Sequence, residues 1–139
     1  MALIHMNKLS KRIKTLINEC KEAEVWADIG CDHGYVTLEL IKQNKAKKVI
    51  ATDIHAESLG KTKKLLAKHN LQNFADYYVG DGFNAIPEND RIKINSCIIA
   101  GMGGNEIMKI LSIFKPQKLV LQPMRNEKEL RNFLTELYQ

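Results

Sequence analysis

The sequence predicts an α/β fold in which a mostly parallel sheet is covered by helices on both faces. Short apolar segments alternate along the chain with segments of helical periodicity. Consecutive parallel strands joined through helices require right-handed crossovers, so this alternation indicates a parallel sheet. The 139 residues, of which 45% are hydrophobic, are enough for one domain with its own core.

The elements follow one another in a regular order. An amphipathic helix is predicted over residues 7–24, because apolar side chains recur there at helical spacing: Leu9, Ile13, Leu16, Ile17 and Cys20. The predicted strands are 25–29, 48–52, 77–79, 96–100 and 119–121. Helices are predicted at 34–44 and 56–69, after the glycines at 101–104, and at the end of the chain, where Leu130, Phe133, Leu134 and Leu137 recur.

The turn after the first strand reads Asp28-Ile-Gly30-Cys-Asp32-His-Gly34. A nicotinamide enzyme requires G-x-G-x-x-G at this place, so that a pyrophosphate can rest on the helix N-terminus. The spacing here is G-x-D-x-G, and Asp32 would repel a pyrophosphate but attract a sulfonium or an ammonium. The turn therefore favours S-adenosylmethionine, although Asp32 is equally explained as a turn former or a helix cap.

Two further acidic positions follow predicted strands. Asp53 ends the second strand about 20 residues beyond the turn, where a carboxylate can accept hydrogen bonds from ribose hydroxyls. Asp81, between two glycines, can accept a hydrogen bond from the exocyclic amine of an adenine, whose face the ring of Phe83 would cover. An ordinary Asp-Gly turn is the alternative for Asp81. In a parallel sheet all these segments lie at the same edge.

The segment after the fourth strand reads Ala100-Gly-Met-Gly-Gly104. Enzymes that methylate an exocyclic amine commonly carry Asp or Asn, two prolines and an aromatic residue there. The departure favours a ring nitrogen, which has a lone pair ready and needs no strong general base in an in-line displacement. Tight packing of a strand onto a helix is the alternative reason for these glycines.

Charge and composition point to the partner. The net charge of +5 favours an anionic partner, and clusters of lysine and arginine favour nucleic acid. The three cysteines and four histidines lack the spacing of a disulfide framework or a metal site. We therefore expect a protein of the reducing cytoplasm that binds no metal. No apolar run approaches the roughly 20 residues of a membrane span, so we expect no membrane contact.

Four blocks carry a resemblance to a known family: Leu9-Ser-Lys-Arg12, Ala27-Asp-Ile-Gly-Cys-Asp-His33, Ile99-Ala-Gly-Met-Gly-Gly104 and Leu119-Val-Leu-Gln-Pro123. They resemble the bacterial tRNA (adenine-22-N1)-methyltransferases, a class I S-adenosylmethionine-dependent group, from about Leu9 to Leu137. The resemblance implies one Rossmann-like cofactor-binding domain over residues 1–139, with tRNA as substrate and 1-methyladenine as product. The target base must then leave its stack to reach the methyl group.

The resemblance also implies roles for particular residues. The expected cofactor contacts are Asp28, Gly30, Asp32, Gly34, Asp53, Ile54, Asp81, Gly82, Ala100 and Gly101. The expected catalytic residues are His33, Met102 and Gln122. The expected tRNA contacts are Lys11, Arg12, Gly103, Gly104, Asn105 and Arg125.

In one respect the chain departs from the family. Family members continue into a helical C-terminal region, and class I domains finish the sheet with a reversed hairpin, neither of which is predicted here. We therefore expect a catalytic core without the C-terminal strands, whose free sheet edge favours a homodimer. Three alternatives stay open: a core that binds cofactor or RNA without turnover, a methyltransferase for another base, and a nicotinamide-dependent enzyme.

Overall fold

A computed structural model describes residues 10–139 and contains one five-stranded sheet in the order β3-β2-β1-β4-β5. Every neighbouring pair of strands is parallel. The strands are β1 Ala23–Ile29, β2 Ala46–Asp53, β3 Ala75–Val79, β4 Ser96–Met102 and β5 Lys118–Pro123. The order reverses between β1 and β4, which places a ligand crevice at the carboxyl ends of these strands. The predicted α/β class is confirmed.

Helices cover both faces of the sheet. They are α1 Lys11–Glu19, α2 Tyr35–Lys42, α3 Ala56–Lys68, α4 Glu88–Arg91, α5 Gly104–Ile113 and α6 Glu127–Leu137. Short 3-10 turns occur at Gln72–Phe74 and Gly82–Ala85. Within residues 10–139, no helix has the length and apolar character needed to cross a membrane.

The sheet separates two hydrophobic layers. On one face, Trp26 of β1 packs with apolar side chains of α1, α2 and α3, including Ile17, Leu40 and Leu66. On the other face, Ile29 packs with residues of α5 and α6 and with the segment that follows β3. Alternate residues of β1 thus enter opposite layers, as expected for a central strand that is buried on both sides.

Several predicted boundaries are corrected by pairing between strands. The predicted helix 7–24 was wrong at its end: α1 stops at Glu19, because Cys20 is already extended and Ala23 pairs with Ala46 of β2. Residues 7–9 lie outside the described part of the chain. β4 runs past the predicted 96–100, because Met102 pairs with Pro123 after an irregularity in the ladder. The short helix α4 and both 3-10 turns were not predicted.

The three cysteines, Cys20, Cys31 and Cys97, are buried free thiols on both sides of the sheet. Burial raises the pKa of Cys20 and that of Cys31 to about 12. A thiol that stays protonated is a poor nucleophile.

Candidate functional site

A cavity of about 680 Å³ lies at the carboxyl edge of the sheet, where the strand order reverses. It is lined by segments that follow four different strands, at residues 28–36, 52–55, 80–82 and 100–102. Side chains of α1 and α5 complete its walls. Its volume falls within the range of about 300–1,000 Å³ that is typical of small-ligand sites. The segments that the sequence predicted to meet therefore do so.

The turn after β1 is held against the end of β2. The amides of Gly30 and Cys31 both donate to the carbonyl oxygen of Thr52, each at 2.9 Å. Gly34 has a φ of 91°, and a Cβ there would lie 2.8 Å from the backbone of Thr62 in α3. Only glycine fits this combination of left-handed backbone and close helix approach, so Gly34 shapes the entry into α2.

Asp32 and His33 form the exposed tip of this turn. Asp32 adopts a left-handed φ of 53°, a region that Asp tolerates better than most residues. Its carboxylate lies 3.1 Å from Nδ1 of His33, and both side chains are more than half exposed. Both residues line the cavity, so a carboxylate and an imidazole face the ligand space from the same turn.

Asp53 connects two loops at the end of β2. Its Oδ2 accepts the amide of Asp32 at 3.1 Å, and its Oδ1 accepts the amide of His55 at 2.9 Å. Each carboxylate oxygen keeps a further acceptor site for a ligand hydroxyl. Ile54 lies next to it with 65% of its surface exposed, an apolar contact on the cavity wall. Asp53, which the sequence predicts for the ribose, lies on the cavity wall, and its contact with a ribose stays a prediction.

Asp28 is a buried acid beneath the turn. Burial raises its pKa to about 6, and the nearby charge of Asp53 adds to the effect. The hydroxyl of Thr37 opposes the shift by donating to Oδ2 at 2.6 Å. Thr37 was not predicted from the sequence, since its contact with Asp28 depends on how α2 is rotated against β1.

At the corner after β3, one residue that was predicted to contact the cofactor is exposed to the cavity, and another is buried. Asp81 is exposed on the cavity wall, and the amide of Gly80 donates to the carbonyl of Asp53 at 2.9 Å. The expectation that Phe83 covers a ligand base was wrong. Its side chain is fully buried and packs edge-to-face on Phe114, with ring centroids 5.1 Å apart.

The end of β4 and side chains of α1 form the remaining wall. The methyl group of Met102 lies against Gly30, where an added Cβ would come within 2.5 Å of it. Arg12 of α1 reaches the same wall: its Nε donates to Oε1 of Gln122 at 2.5 Å, and its Nη2 lies close to Gly101. Gln122 does not line the cavity, but its hydrogen bond holds Arg12, which does.

Among the predicted tRNA contacts, Arg12 lines the cavity and the other five residues do not. Gly103 and Gly104 are buried against the loop after β5, where the amide of Gly104 donates to the carbonyl of Arg125 at 2.8 Å. The Arg125 side chain is exposed and lies 3.9 Å from Glu106. Lys11 and Asn105 are exposed outside the cavity. Their roles in tRNA binding remain predictions.

The part of the chain from residue 10 onward holds no group of three or more acidic, histidine and cysteine side chains able to bind a metal ion. Comparison with protein families shows which family the chain belongs to. A family model described as a methyltransferase domain matches residues 9–138. The chain belongs to this methyltransferase domain family.

Relatives of this methyltransferase domain include a Bacillus subtilis tRNA (adenine(22)-N(1))-methyltransferase, 33% identical over 132 residues. That alignment covers 91% of this chain and 54% of the relative, so the domain spans about half of the relative's length.

Solved structures share its fold. The crystal structure of the B. subtilis m1A22 tRNA methyltransferase TrmK matches with a TM-score of 0.81 and 31% identity, covering 94% of this chain and 56% of that one. A complex of Mycoplasma capricolum TrmK with S-adenosyl-homocysteine matches with a TM-score of 0.84 and 25% identity, covering 92% and 57%. The fold is therefore the Rossmann-like methyltransferase fold.

Proposed function

We propose that this domain is the catalytic core of an S-adenosylmethionine-dependent methyltransferase that acts on N1 of adenine 22 in tRNA. The observation that carries the proposal is the cavity at the strand-order reversal, which suits a positively charged nucleoside donor. Glu106 and four aspartates line it: Asp28, Asp32, Asp53 and Asp81. The likeness to a B. subtilis protein of that name supports the substrate.

The donor side of the cavity consists of residues that follow β2 and β3. Asp53 would accept the ribose hydroxyls, Ile54 would contact the adenine ring, and Asp81 would accept hydrogens of its amino group. S-adenosylmethionine, when bound, supplies a methyl group on a positively charged sulfur. The carboxylates of Asp28 and Asp32 favour that charge and disfavour a phosphorylated cofactor such as NAD.

The acceptor side of the cavity lies at the end of β4, beside α1. The β4 segment there, Ala100 to Met102, offers no side-chain oxygen to accept the hydrogens of an exocyclic amine. The adenine ring nitrogen N1 carries a lone pair and no proton, so alignment and exclusion of water are the main demands on the protein. His33 and Met102 line the cavity and would contact the target base.

Binding of the tRNA would depend on charge outside the cavity. Lys11, Arg12 and Lys14 are exposed on α1, next to the cavity wall that Arg12 forms, and Arg125 is exposed after β5. Such side chains position a nucleic acid through its phosphates, while the target base leaves its stack to enter the site. A tRNA substrate also supports the cytoplasmic location expected from the sequence.

The decisive experiment measures transfer of labelled methyl from S-adenosylmethionine to an unmodified tRNA transcript, followed by mapping of the modified nucleotide. We expect label at N1 of adenine 22 and none in a transcript that carries guanine there. Label at another base in both transcripts would contradict the proposed substrate.

A second candidate is a core that binds donor and RNA without turnover. The family match and the acidic cavity support donor binding, and methyl transfer is the property that separates this candidate from the first. Calorimetry separates the candidates: S-adenosylhomocysteine binding without transfer at enzyme concentrations above that of the tRNA would favour the second.

A further inference from the structure

Tyr35 is an exposed aromatic side chain on the cavity wall that neither the sequence prediction nor the proposed donor site uses. It is the first residue of α2 and follows the left-handed Gly34 directly. It lines the cavity and keeps 42% of its surface exposed. A large apolar ring that faces a ligand cavity and stays exposed has contact area available for a ligand.

The other tyrosines show how this position differs. The hydroxyls of Tyr77, Tyr78 and Tyr138 donate to protein oxygens, at Gln72, Asp90 and Pro116. Within residues 10–139 the hydroxyl of Tyr35 has no such partner, and its ring has no aromatic neighbour. The remaining carbocyclic aromatic residue at the cavity, Phe83, is fully buried and cannot offer a face. Tyr35 is therefore the available stacking surface.

The position of Tyr35 assigns it to the acceptor rather than the donor. The wall that it shares with Arg12, Ile13 and Leu16 belongs to α1 and the start of α2. Through Arg12 this wall is joined to Gln122 at the end of β5, on the far side of the sheet from β3. The donor's nucleoside is expected at the ends of β2 and β3, so its adenine already has a separate place.

We propose that Tyr35 is the stacking platform for a base of the RNA substrate at the mouth of the cavity. The inference rests on the proposed function, because it takes the acceptor to be a nucleic acid whose target base is unstacked. An aromatic side chain replaces the stacking that such a base loses, and it accepts any base, since each base has a π-face. Selection of adenine would then come from the groups deeper in the cavity.

The test compares RNA affinity and donor affinity in matched variants. With saturating S-adenosylhomocysteine, binding of a fluorescently labelled tRNA transcript is measured by anisotropy for wild type, Tyr35→Ala, Tyr35→Phe and Phe74→Ala. Phe74 is the control, because it is 47% exposed and lies in the turn that precedes β3, away from the cavity. Calorimetry with S-adenosylhomocysteine alone reports donor affinity.

We expect Tyr35→Ala to weaken RNA binding roughly 5- to 100-fold, the range that corresponds to removal of one stacked base. Tyr35→Phe and Phe74→Ala should stay within about twofold of wild type, and donor affinity should be unchanged in all of them. Equal RNA affinity of wild type and Tyr35→Ala, absence of RNA binding by wild type, or an equal loss of donor affinity would each overturn the proposal.

A second measurement reads the stacked base directly. Trp26 is the single tryptophan of the chain and is 1% exposed, so a Tyr35→Trp variant adds an emission that reports on this position. We expect RNA to quench that emission and an RNA with an abasic nucleotide at the target position to quench it less. Identical quenching by both RNAs would overturn the proposal. The position of methylation by wild type is scored separately, so failure of the proposed function is recognised independently.

Discussion

The side chains of Arg12 and Gln122 are joined by a 2.5 Å hydrogen bond although 110 residues separate them. The bond ties α1 to the end of β5 across the acceptor side of the cavity. Arg12 also lies against Gly101, where any side chain would crowd its guanidinium. The position of α1 over the site thus depends on a contact between the two ends of the domain.

The first prediction concerns this pair. Arg12→Ala and Gln122→Ala should each lower kcat/KM for tRNA by about 5- to 30-fold, as expected for a hydrogen bond worth about 1–2 kcal/mol. The double variant should be little worse than Arg12→Ala, because the second change removes a bond already lost, whereas Arg12→Ala also removes a charge proposed to meet tRNA phosphates. Losses that multiply would contradict the coupling. Arg131→Ala is the control, since that arginine bonds Glu127 within α6.

The second prediction concerns Asp53. Asp53→Ala should weaken S-adenosylhomocysteine binding by about 1–3 kcal/mol, because ribose hydroxyls and the amides of Asp32 and His55 lose their acceptor. Isothermal titration calorimetry measures the change. Asp76→Ala removes an acid of β3 that pairs with Lys48 at 2.9 Å outside the cavity, and it should leave the affinity unchanged. A similar loss in both variants would point to general charge instead.

The third prediction concerns pH and Asp28, whose pKa burial raises from 3.8 to about 6. The folded state then binds this proton more tightly than the unfolded state, so the contribution of Asp28 to stability is present below about pH 4 and lost as pH rises to about 6. The loss is about 3 kcal/mol for a shift of this size. Asp28→Asn keeps an acceptor for Thr37 but cannot titrate.

Urea unfolding of both proteins at several pH values gives the test. The stability of wild type relative to Asp28→Asn should fall between about pH 4 and 6 and stay constant above. A difference that does not vary with pH would show that Asp28 titrates normally.

The fourth prediction contrasts two glycines. Gly34→Ala should destabilise the domain by more than about 1 kcal/mol, because Ala is strained at a φ of 91° and its Cβ would clash with Thr62. Gly60→Ala should stabilise it by about 0.5–1 kcal/mol, since Gly60 lies within α3 and no atom is within 4 Å of an added Cβ. Thermal unfolding of both variants measures the two signs, and a stabilised Gly34→Ala would refute the packing described.

Local patterns predicted the fold and many of the residues that line the cavity. Asp53 and Gly34 could be singled out because each has a fixed position in a strand, turn and helix unit. Such a unit is recognisable from residues that are close together in sequence. The order of the elements was likewise predictable, since apolar periodicity sets it. The ends of the strands and helices were less predictable. Pairing with a neighbouring strand extends a strand beyond its apolar run, as the pair Met102 and Pro123 shows.

The rest of the site depends on contacts between distant segments. Thr37 reaches Asp28 only through the rotation of α2, and Arg12 meets Gln122 only when β5 is in place. Phe83 was assigned to a ligand because it follows Asp81, but the 3-10 turn over Gly82–Ala85 directs its ring into the core. Residues that are neighbours in sequence lie in the same loop, but their side chains can point in different directions. Only the packed structure shows which side chain faces the cavity and which faces the core.

The double role of Asp53 has a consequence for protein engineering. One carboxylate orders the loops that follow β1 and β2 and is also the proposed contact of the nucleoside, so we expect its exchange to alter the shape of the cavity together with its affinity. Ile54 has no such scaffolding bond and projects from the same wall. Libraries aimed at synthetic analogues of the methyl donor should therefore diversify Ile54 and leave its acidic neighbour intact.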